Sequence, residues 1–394
     1  MFENVKLLVK TKIAKMINKS DINYSIWVFS SSNNTAFNYN SKYLFEYVLK
    51  NKKEILPLYV INDDDTRTEL KKMYGEEYFI ETKSLKGILK VLNAGVWFTS
   101  AGLPVYGFNL SKDRLIINLW HGVPLKKIAL MENHVSNFKK IYFKKIFSDN
   151  LTHVLTTSKA LIPTMSRSFN VNEDKIKVWG QPRNDALFKL NDKKKILSAL
   201  YGKLPEYNKI ILYAPTYRDN KDTYLFPFKD MNYIDFNNYL KEKRILIFIR
   251  GHQFDTSLAN MEFGDRIKFI NSNKQNEIMD ILNIFDLLIT DYSSIYIDYL
   301  LTNNPVLFLP YDKSNYFSDR GMNFDYDKVT PGPKPNSYKK FKTEVDCLLN
   351  SDKYYLSERK KINNFFNEIN YRCSSYIYES IKSELDTQKE NTKS

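Results

Sequence analysis

Four short runs carry side chains able to act on a phosphate or a hydroxyl. In Trp120-His121-Gly122-Val123-Pro124 a histidine directly follows an apolar stretch. An imidazole there can take a proton from a hydroxyl near neutral pH. Gly122 allows a tight turn, and Pro124 suits a helix start. The structural alternative is a histidine that ties down a turn. In Arg250-Gly251-His252, again after an apolar stretch, guanidinium and imidazole can give charge-assisted hydrogen bonds to phosphate oxygens; otherwise they form a solvated loop pair. Thr290-Asp291-Tyr292-Ser293-Ser294 puts two hydroxyls at a helix start. Ser293 and Ser294 suit N-capping, and the same helix end binds phosphate through its free N–H groups. Ala214-Pro215-Thr216-Tyr217-Arg218, with Arg320-Gly321 and Pro331-Gly332-Pro333 further on, offers Arg218 and Arg320 as phosphate contacts or as surface charge.

Other polar groups read as structural. Asp63-Asp64-Asp65 precedes a helix, where acidic residues favour the N-terminus, rather than forming a metal site. His134 and His153 are given structural roles. There is no Walker loop, no GxSxG elbow, no zinc spacing and no RNA-binding aromatic motif.

The four runs gain meaning from the elements that must carry them. Strands are expected at 25–30, 54–61, 96–100, 115–119, 152–156 and 175–178, the last ending in Gly180-Gln181-Pro182-Arg183. Helices are expected between them at 42–50, 68–73, 87–92, 137–146 and 159–169. A second set follows, with strands at 209–213, 244–249, 267–271, 287–290 and 305–310, and helices at 193–200, 236–240, 276–283 and 294–301. The chain from Lys339 onward reads as helical. Short apolar strands alternating with helices indicate parallel sheets covered on both faces. The fold class is therefore α/β, with two doubly wound Rossmann-like domains facing each other. The expected division is 1–190 and 191–375, followed by a polar tail, 386–394, expected to be disordered. Ligands of such sheets bind beyond the carboxyl ends of the strands, where the polar runs fall.

Composition narrows the partners. The chain has 394 residues, enough for two or three domains at about 150 residues each. With 43% hydrophobic and 26% charged residues, it is neither disordered nor fibrous. A net charge of +14 favours polyanions, namely nucleic acid, an anionic membrane surface or a phosphorylated substrate. The 28 tyrosines and 26 phenylalanines are spread through the chain rather than clustered with basic residues, which argues against a nucleic-acid module. Two cysteines, Cys347 and Cys373, argue against a disulfide framework and for a reducing compartment. Lysines 6, 10, 12 and 15 interrupt any signal-peptide core, and no stretch reaches the length of a membrane span. Val5, Leu8, Val9, Ile13, Met16 and Ile17 recur at helical spacing among those lysines. Such a basic amphipathic helix (within 1–20) can lie on an anionic leaflet, or pack on its own domain.

Seven runs in this order resemble the CDP-glycerol glycerophosphotransferase family, the enzymes of teichoic-acid and some capsule-polymer synthesis. They are NSKYLFEYVLKN (40–51), WHGVPLKKI (120–128), GQPRNDAL (180–187), YAPTYRDN (213–220), RGH (250–252), TDYSSIYIDYLL (290–301) and RGMNFDY with PGP (320–326, 331–333). The resemblance implies the two-domain GT-B arrangement, with the acceptor on the first domain and a CDP-alcohol on the second. It implies that a hydroxyl of a lipid-linked glycan or polymer attacks the phosphorus bearing the glycerol and that CMP leaves. By the same resemblance His121 is the general base, and His252 with Arg250 holds the diphosphate. Arg218, Ser293 and Ser294 add phosphate contacts, Asp291 orders that loop or meets the donor, and Arg183, Thr216 and Arg320 count as substrate contacts. The implied location is cytoplasmic, peripheral at the inner face of the membrane. No cofactor is implied; whether a divalent cation is required stays open. Tyr39 stands where similar proteins usually carry an Asp, and Gln253 where they carry a Pro. CDP-ribitol is an alternative donor. A GT-B nucleotide-sugar glycosyltransferase or 2-epimerase is the rival of the same fold, and a non-catalytic polyanion-binding protein is the rival of another class.

Overall fold

The computed structural model describes residues 2–18, 20–216, 218, 223–251, 264–271 and 274–391, with side chains from residue 6 onward. His252, Gln253 and the side chain of Val5 lie outside the described residues.

The chain forms two compact units. The first comprises Met1–His121, Ile128–Asp185 and Glu368–Ser394; the second comprises Gly122–Lys127 and Ala186–Asn367. In the first, α1 (Phe2–Ile17) leads to β1 (Asn23–Ser30), α2 (Tyr39–Asn51), β2 (Leu56–Val60), α3 (Asp64–Tyr74), β3 (Phe79–Ile80), α4 (Leu85–Leu92) and β4 (Ala94–Thr99). Then come β5 (Leu115–Asn118), α5 (Asn137–Ile146), β6 (His153–Thr156), α6 (Ile162–Phe169) and β7 (Ile176–Val178). All pairs are parallel, in the order β3-β2-β1-β4-β5-β6-β7. The second unit holds α7 (Lys193–Tyr201), β8 (Lys209–Ala214), α8 (Tyr233–Glu242), β9 (Ile245–Ile249), β10 (Ile267–Phe269), β11 (Leu287–Thr290), α9 (Ile295–Tyr299) and β12 (Val306–Phe308). It continues with α10 (Lys313–Arg320), α11 (Tyr326–Val329), α12 (Tyr338–Asn350) and α13 (Leu356–Phe366). Its sheet is also parallel, in the order β10-β9-β8-β11-β12. Each sheet reverses direction of winding once, between β1 and β4 and between β8 and β11. These are two Rossmann-like units of the GT-B class.

The strands form where they do because both faces are covered. Every residue of β4 (AGVWFT), β9 (ILIFI) and β11 (LLIT) is buried, which explains their continuous apolar runs. The first core is aromatic: Phe29 stacks on Phe98 at 5.2 Å and meets Phe45 edge-on at 5.6 Å. A final helix, α14 (Cys373–Asn391), closes that core by laying Ile377, Tyr378, Ile381 and Leu385 on it at helical spacing.

Several expectations differ from the fold. The first unit ends its central stretch at Asp185 rather than 190, and the second ends at Asn367 rather than 375. The physical reason is Asp185, whose carboxylate accepts from the N–H groups of Cys373 (2.8 Å) and Ser374 (2.9 Å), so it caps α14 onto the first unit. Gly180 assists, because a Cβ there would sit 2.6 Å from Cys373 Sγ. Helix α14 runs to Asn391, through most of the stretch whose polar composition suggested a disordered tail. The helix expected at 276–283 is two 3-10 turns, Ile278–Asp280 and Leu282–Ile284. The Asn191 amide takes the Asp280 carbonyl (2.9 Å), and the N–H of Ile284 bonds Ile281 instead. Neither the two-residue β3 nor the polar α10 was expected.

Helix α1 packs its Thr11 and Ala14 face inward, 1% and 0% exposed. Val9, Ile13, Met16 and Ile17 lie on the opposite face, between 45% and 78% exposed.

Candidate functional site

The first unit's polar cluster stands at the carboxyl edge of β1, β4 and β5. Asn118 Oδ1, at the end of β5, accepts from the N–H of Trp120 (2.9 Å), and Trp120 adopts a left-handed backbone (φ 51°). This sharp turn sets the His121 ring against the end of β4, with Nδ1 2.9 Å from the Ser100 carbonyl. A carbonyl only accepts, so Nδ1 carries the proton and Nε2 keeps its lone pair. The ring stacks on Tyr39 (4.8 Å, 21°) and meets the Trp120 ring at 4.0 Å. Burial pushes the His121 pKa down to about 4; the Ser100 carbonyl opposes this, and the positive charge of Arg183 adds to it. At neutral pH His121 is therefore an uncharged base with Nε2 available.

The loop is held from behind. Asn40, fully buried, donates through Nδ2 to the carbonyls of Leu119 (3.1 Å) and Trp120 (2.9 Å). Its Oδ1 accepts from the N–H of Arg183 (3.1 Å), and Arg183 Nη1 donates to the His121 carbonyl (2.7 Å). Ser41 Oγ donates to the Ser30 carbonyl (2.7 Å) and lies 2.8 Å from Ser100 Oγ. Thus the Asn-Ser-Lys start of α2 and the end of β4 fix the histidine.

The second unit's cluster stands at the carboxyl edge of β8 and β11. Asp291 Oδ1 accepts from the N–H groups of Thr216 (2.8 Å) and Tyr292 (2.6 Å), and Oδ2 accepts from Arg218 Nη1 (2.7 Å). Arg218 Nε and Nη2 grip Asp312 at 3.0 and 2.8 Å. Its guanidinium also lies 4.9–5.3 Å from the ring centroids of Tyr292, Tyr311 and Tyr316. Burial pulls the Asp312 carboxyl upward, but Arg218 and Tyr292 hold it below its ordinary value. Both Arg218 and Asp291 are buried, so breaking this bidentate triad would strand a charge away from water.

The remaining predicted residues surround this triad or stand apart. Ser294 is the N-cap residue of α9 without a side-chain capping bond, and Ser293 Oγ accepts a long bond from the N–H of Ile295 (3.4 Å). Thr216 Oγ1 is buried without a hydrogen-bond partner among the described residues. Arg320 ends α10 and is exposed. Arg250, after β9, donates to the carbonyls of Gln275 (2.5 Å) and Asn276 (3.0 Å), and burial lowers its pKa. Gly332 is structural, since a Cβ there would meet the Val306 carbonyl at 2.0 Å. Asp63 caps α3 by accepting from the N–H of Thr66 (2.9 Å), and His153 sits 3.1 Å from Glu384 and stacks on Trp179.

Sequence reading missed Ser100, Asn40 and Ser41 behind His121, and Asp312 and Lys126 beside Arg218. The NSK run was a signal for Asn40 and Ser41; a backbone carbonyl such as that of Ser100 leaves none. Among the described residues, no group of three His, Cys, Asp or Glu is arranged to hold a metal ion, and no helix is long and apolar enough to cross a membrane.

Comparison with known proteins adds to this geometry. A family model described as CDP-Glycerol:Poly(glycerophosphate) glycerophosphotransferase matches residues 12–383. A teichoic acid poly(glycerol phosphate) polymerase of Staphylococcus epidermidis is 26% identical over 379 residues, covering 92% of this chain and 51% of that protein. A teichoic acid poly(ribitol-phosphate) polymerase of Bacillus spizizenii is 26% identical over 282 residues, covering 70% of this chain and 44% of that protein. The chain thus spans about half the length of these relatives. A solved structure of the wall teichoic acid polymerase TagF aligns over 98% of this chain and 97% of that one, with a TM-score of 0.77 and 23% identity. That likeness bears on the fold.

Proposed function

The chain belongs to the CDP-glycerol:poly(glycerophosphate) glycerophosphotransferase family, and on that premise we propose that it transfers glycerol phosphate from CDP-glycerol to an acceptor hydroxyl and releases CMP. The observation that carries this reading is His121, uncharged, with Nδ1 tied to the Ser100 carbonyl and Nε2 left to accept a proton. The acceptor hydroxyl gives its proton to Nε2 while its oxygen forms a bond to the phosphorus bearing glycerol. The bond from that phosphorus to the bridging oxygen breaks, and CMP leaves with that oxygen. His252, with Arg250, holds the diphosphate and balances the charge that develops on CMP. In this reading Thr216, Ser293 and Ser294 supply further donors at the strand ends, Asp291 orders their loop by accepting from the N–H groups of Thr216 and Tyr292, and Arg320 adds a phosphate contact.

The acceptor in this reading is a lipid-linked glycan or polymer at the inner membrane face. Support comes from α1, which presents Val9, Ile13, Met16 and Ile17 to solvent on the face opposite its packed side, among lysines suited to anionic lipid. The relative named for poly(ribitol-phosphate) keeps CDP-ribitol as the second donor to try.

The test is CMP release by the purified protein from CDP-glycerol and from CDP-ribitol, each with a lipid-linked acceptor. CMP from CDP-glycerol supports the reading. CMP from CDP-ribitol alone moves it to ribitol phosphate transfer. Release from neither donor, with turnover of a UDP-sugar, sinks it.

A further inference from the structure

Segment Gly122–Lys127 directly follows His121 in the chain yet belongs to the second unit. Its backbone is locked there. Asn323 Nδ2 donates to the carbonyls of Pro124 and Lys126 (both 2.8 Å), the N–H of Asn323 bonds the Leu125 carbonyl (3.0 Å), and Lys126 bridges Met322 in antiparallel fashion. Leu125 is fully buried. The segment thereby drives the Lys126 side chain into the cluster around Arg218, where Nζ donates to the Tyr316 hydroxyl (3.1 Å) and lies 5.8 Å from that ring's centroid.

The groups facing Lys126 are Tyr316, Asp291, Arg218 and Arg320. Asp291 is already bound by Arg218, as is Asp312. Among the described residues no carboxylate lies within ion-pair distance of Lys126. A cation withdrawn from water without a paired carboxylate is costly to keep, and an anion from outside would relieve that cost. A second donor points the same way: Thr216 Oγ1, buried beside Asp291, has no hydrogen-bond partner among the described residues.

We propose that Lys126 is a donor-binding residue of the second unit, its ammonium taking a phosphate oxygen of the diphosphate. The proposal rests on the phosphotransfer reading above for the identity of the ligand. Burial lowers the Lys126 pKa to about 8, with Arg320 and Arg218 adding to the effect and Asp291 opposing it. The charged form binds phosphate, so affinity falls as pH rises past about 8 in the free protein.

The test is calorimetric binding of CDP-glycerol and of inorganic pyrophosphate to the full chain between pH 7 and 9, alongside CMP release. Lys126→Met is expected to weaken CDP-glycerol binding by about 10- to 100-fold, as for a lost hydrogen bond to a charged group. Lys126→Arg is expected to retain most of the affinity and lose the decline above pH 8, a signature that a structural role would not produce. Wild-type binding with this pH dependence but without CMP release would sustain the Lys126 site and refute the transfer reading. CMP release with unaltered affinity and pH profile in Lys126→Met would refute the Lys126 site and leave the transfer reading standing. Failure of the wild-type protein to bind either diphosphate would overturn both.

Discussion

At the carboxyl edge of the first sheet the His121 ring is desolvated, uncharged and stacked on aromatic neighbours. At the same edge of the second sheet, two carboxylates close around one guanidinium, and a lysine stands beside them. Equivalent positions in two Rossmann-like units thus keep polar groups out of water by opposite means. The first drives off charge and fixes a tautomer with a carbonyl. The second keeps charge and neutralises most of it internally. The former suits a proton acceptor, because a protonated imidazole cannot act as base; the latter suits a group that must stay charged when buried.

The largest effect should separate the two clusters most cleanly. His121→Ala is expected to lower CMP release by about 10²- to 10⁴-fold, the usual weight of a general base, with CDP-glycerol affinity within twofold of wild type. Equal loss of binding and turnover would show that the division of labour is false. Next comes Arg218→Met, which leaves Asp291 and Asp312 without their partner and should lower stability by about 3–5 kcal/mol in denaturant unfolding. A change under about 0.5 kcal/mol would mean the triad is better solvated than its burial indicates.

The pH profile sharpens the contrast further. With His121 held down to about 4, CMP release should persist through the range where an ordinary histidine, near 6.5, is half protonated, and fall only as pH drops through about 4. Stability follows the same sign: the unfolded chain takes up this proton first, so stability is lost as pH falls across that window. An acid limb at about 6.5 would contradict the desolvated ring. Tyr39→Ala, which opens one face of the ring, should move the limb upward. The smallest effect on catalysis is expected from Ile13→Asp with Met16→Asp in α1. CMP release to a water-soluble acceptor should be unchanged, while sedimentation with phosphatidylglycerol vesicles is lost; undiminished vesicle binding would remove α1 from the membrane reading.

Much of the fold could be read from the sequence because both sheets are parallel and covered. Runs such as Ile245–Ile249 and Leu287–Ile289 are apolar throughout and lead into polar clusters. What escaped had no such signature. Phe79–Ile80 is too short to show a period, and α10 is a polar helix with Tyr316 buried. Among the candidate residues of the two units, His121, Arg218 and Asp291 stood out as polar residues at or just after strand ends. The partners of Arg218, by contrast, lie 73 and 94 residues away, a distance that local pattern cannot bridge. Lys126 is one of 59 basic residues, and only its tertiary placement distinguishes it. The Ser100 carbonyl that sets the His121 tautomer belongs to the backbone, which every residue has.

Helix α14 carries a consequence for biosynthesis. Ile377, Tyr378, Ile381 and Leu385 complete a core begun by Trp27 and Phe29, so a segment made early is sealed by one made about 350 residues later. Until residues 373–391 emerge, the part of that core around Trp27 waits uncovered beside α2, while the second unit can already have assembled from its own segment. Such a nascent state exposes apolar surface between the synthesis of β1 and that of α14. A chaperone that shields aromatic surface during that interval would be expected to raise the yield of this protein.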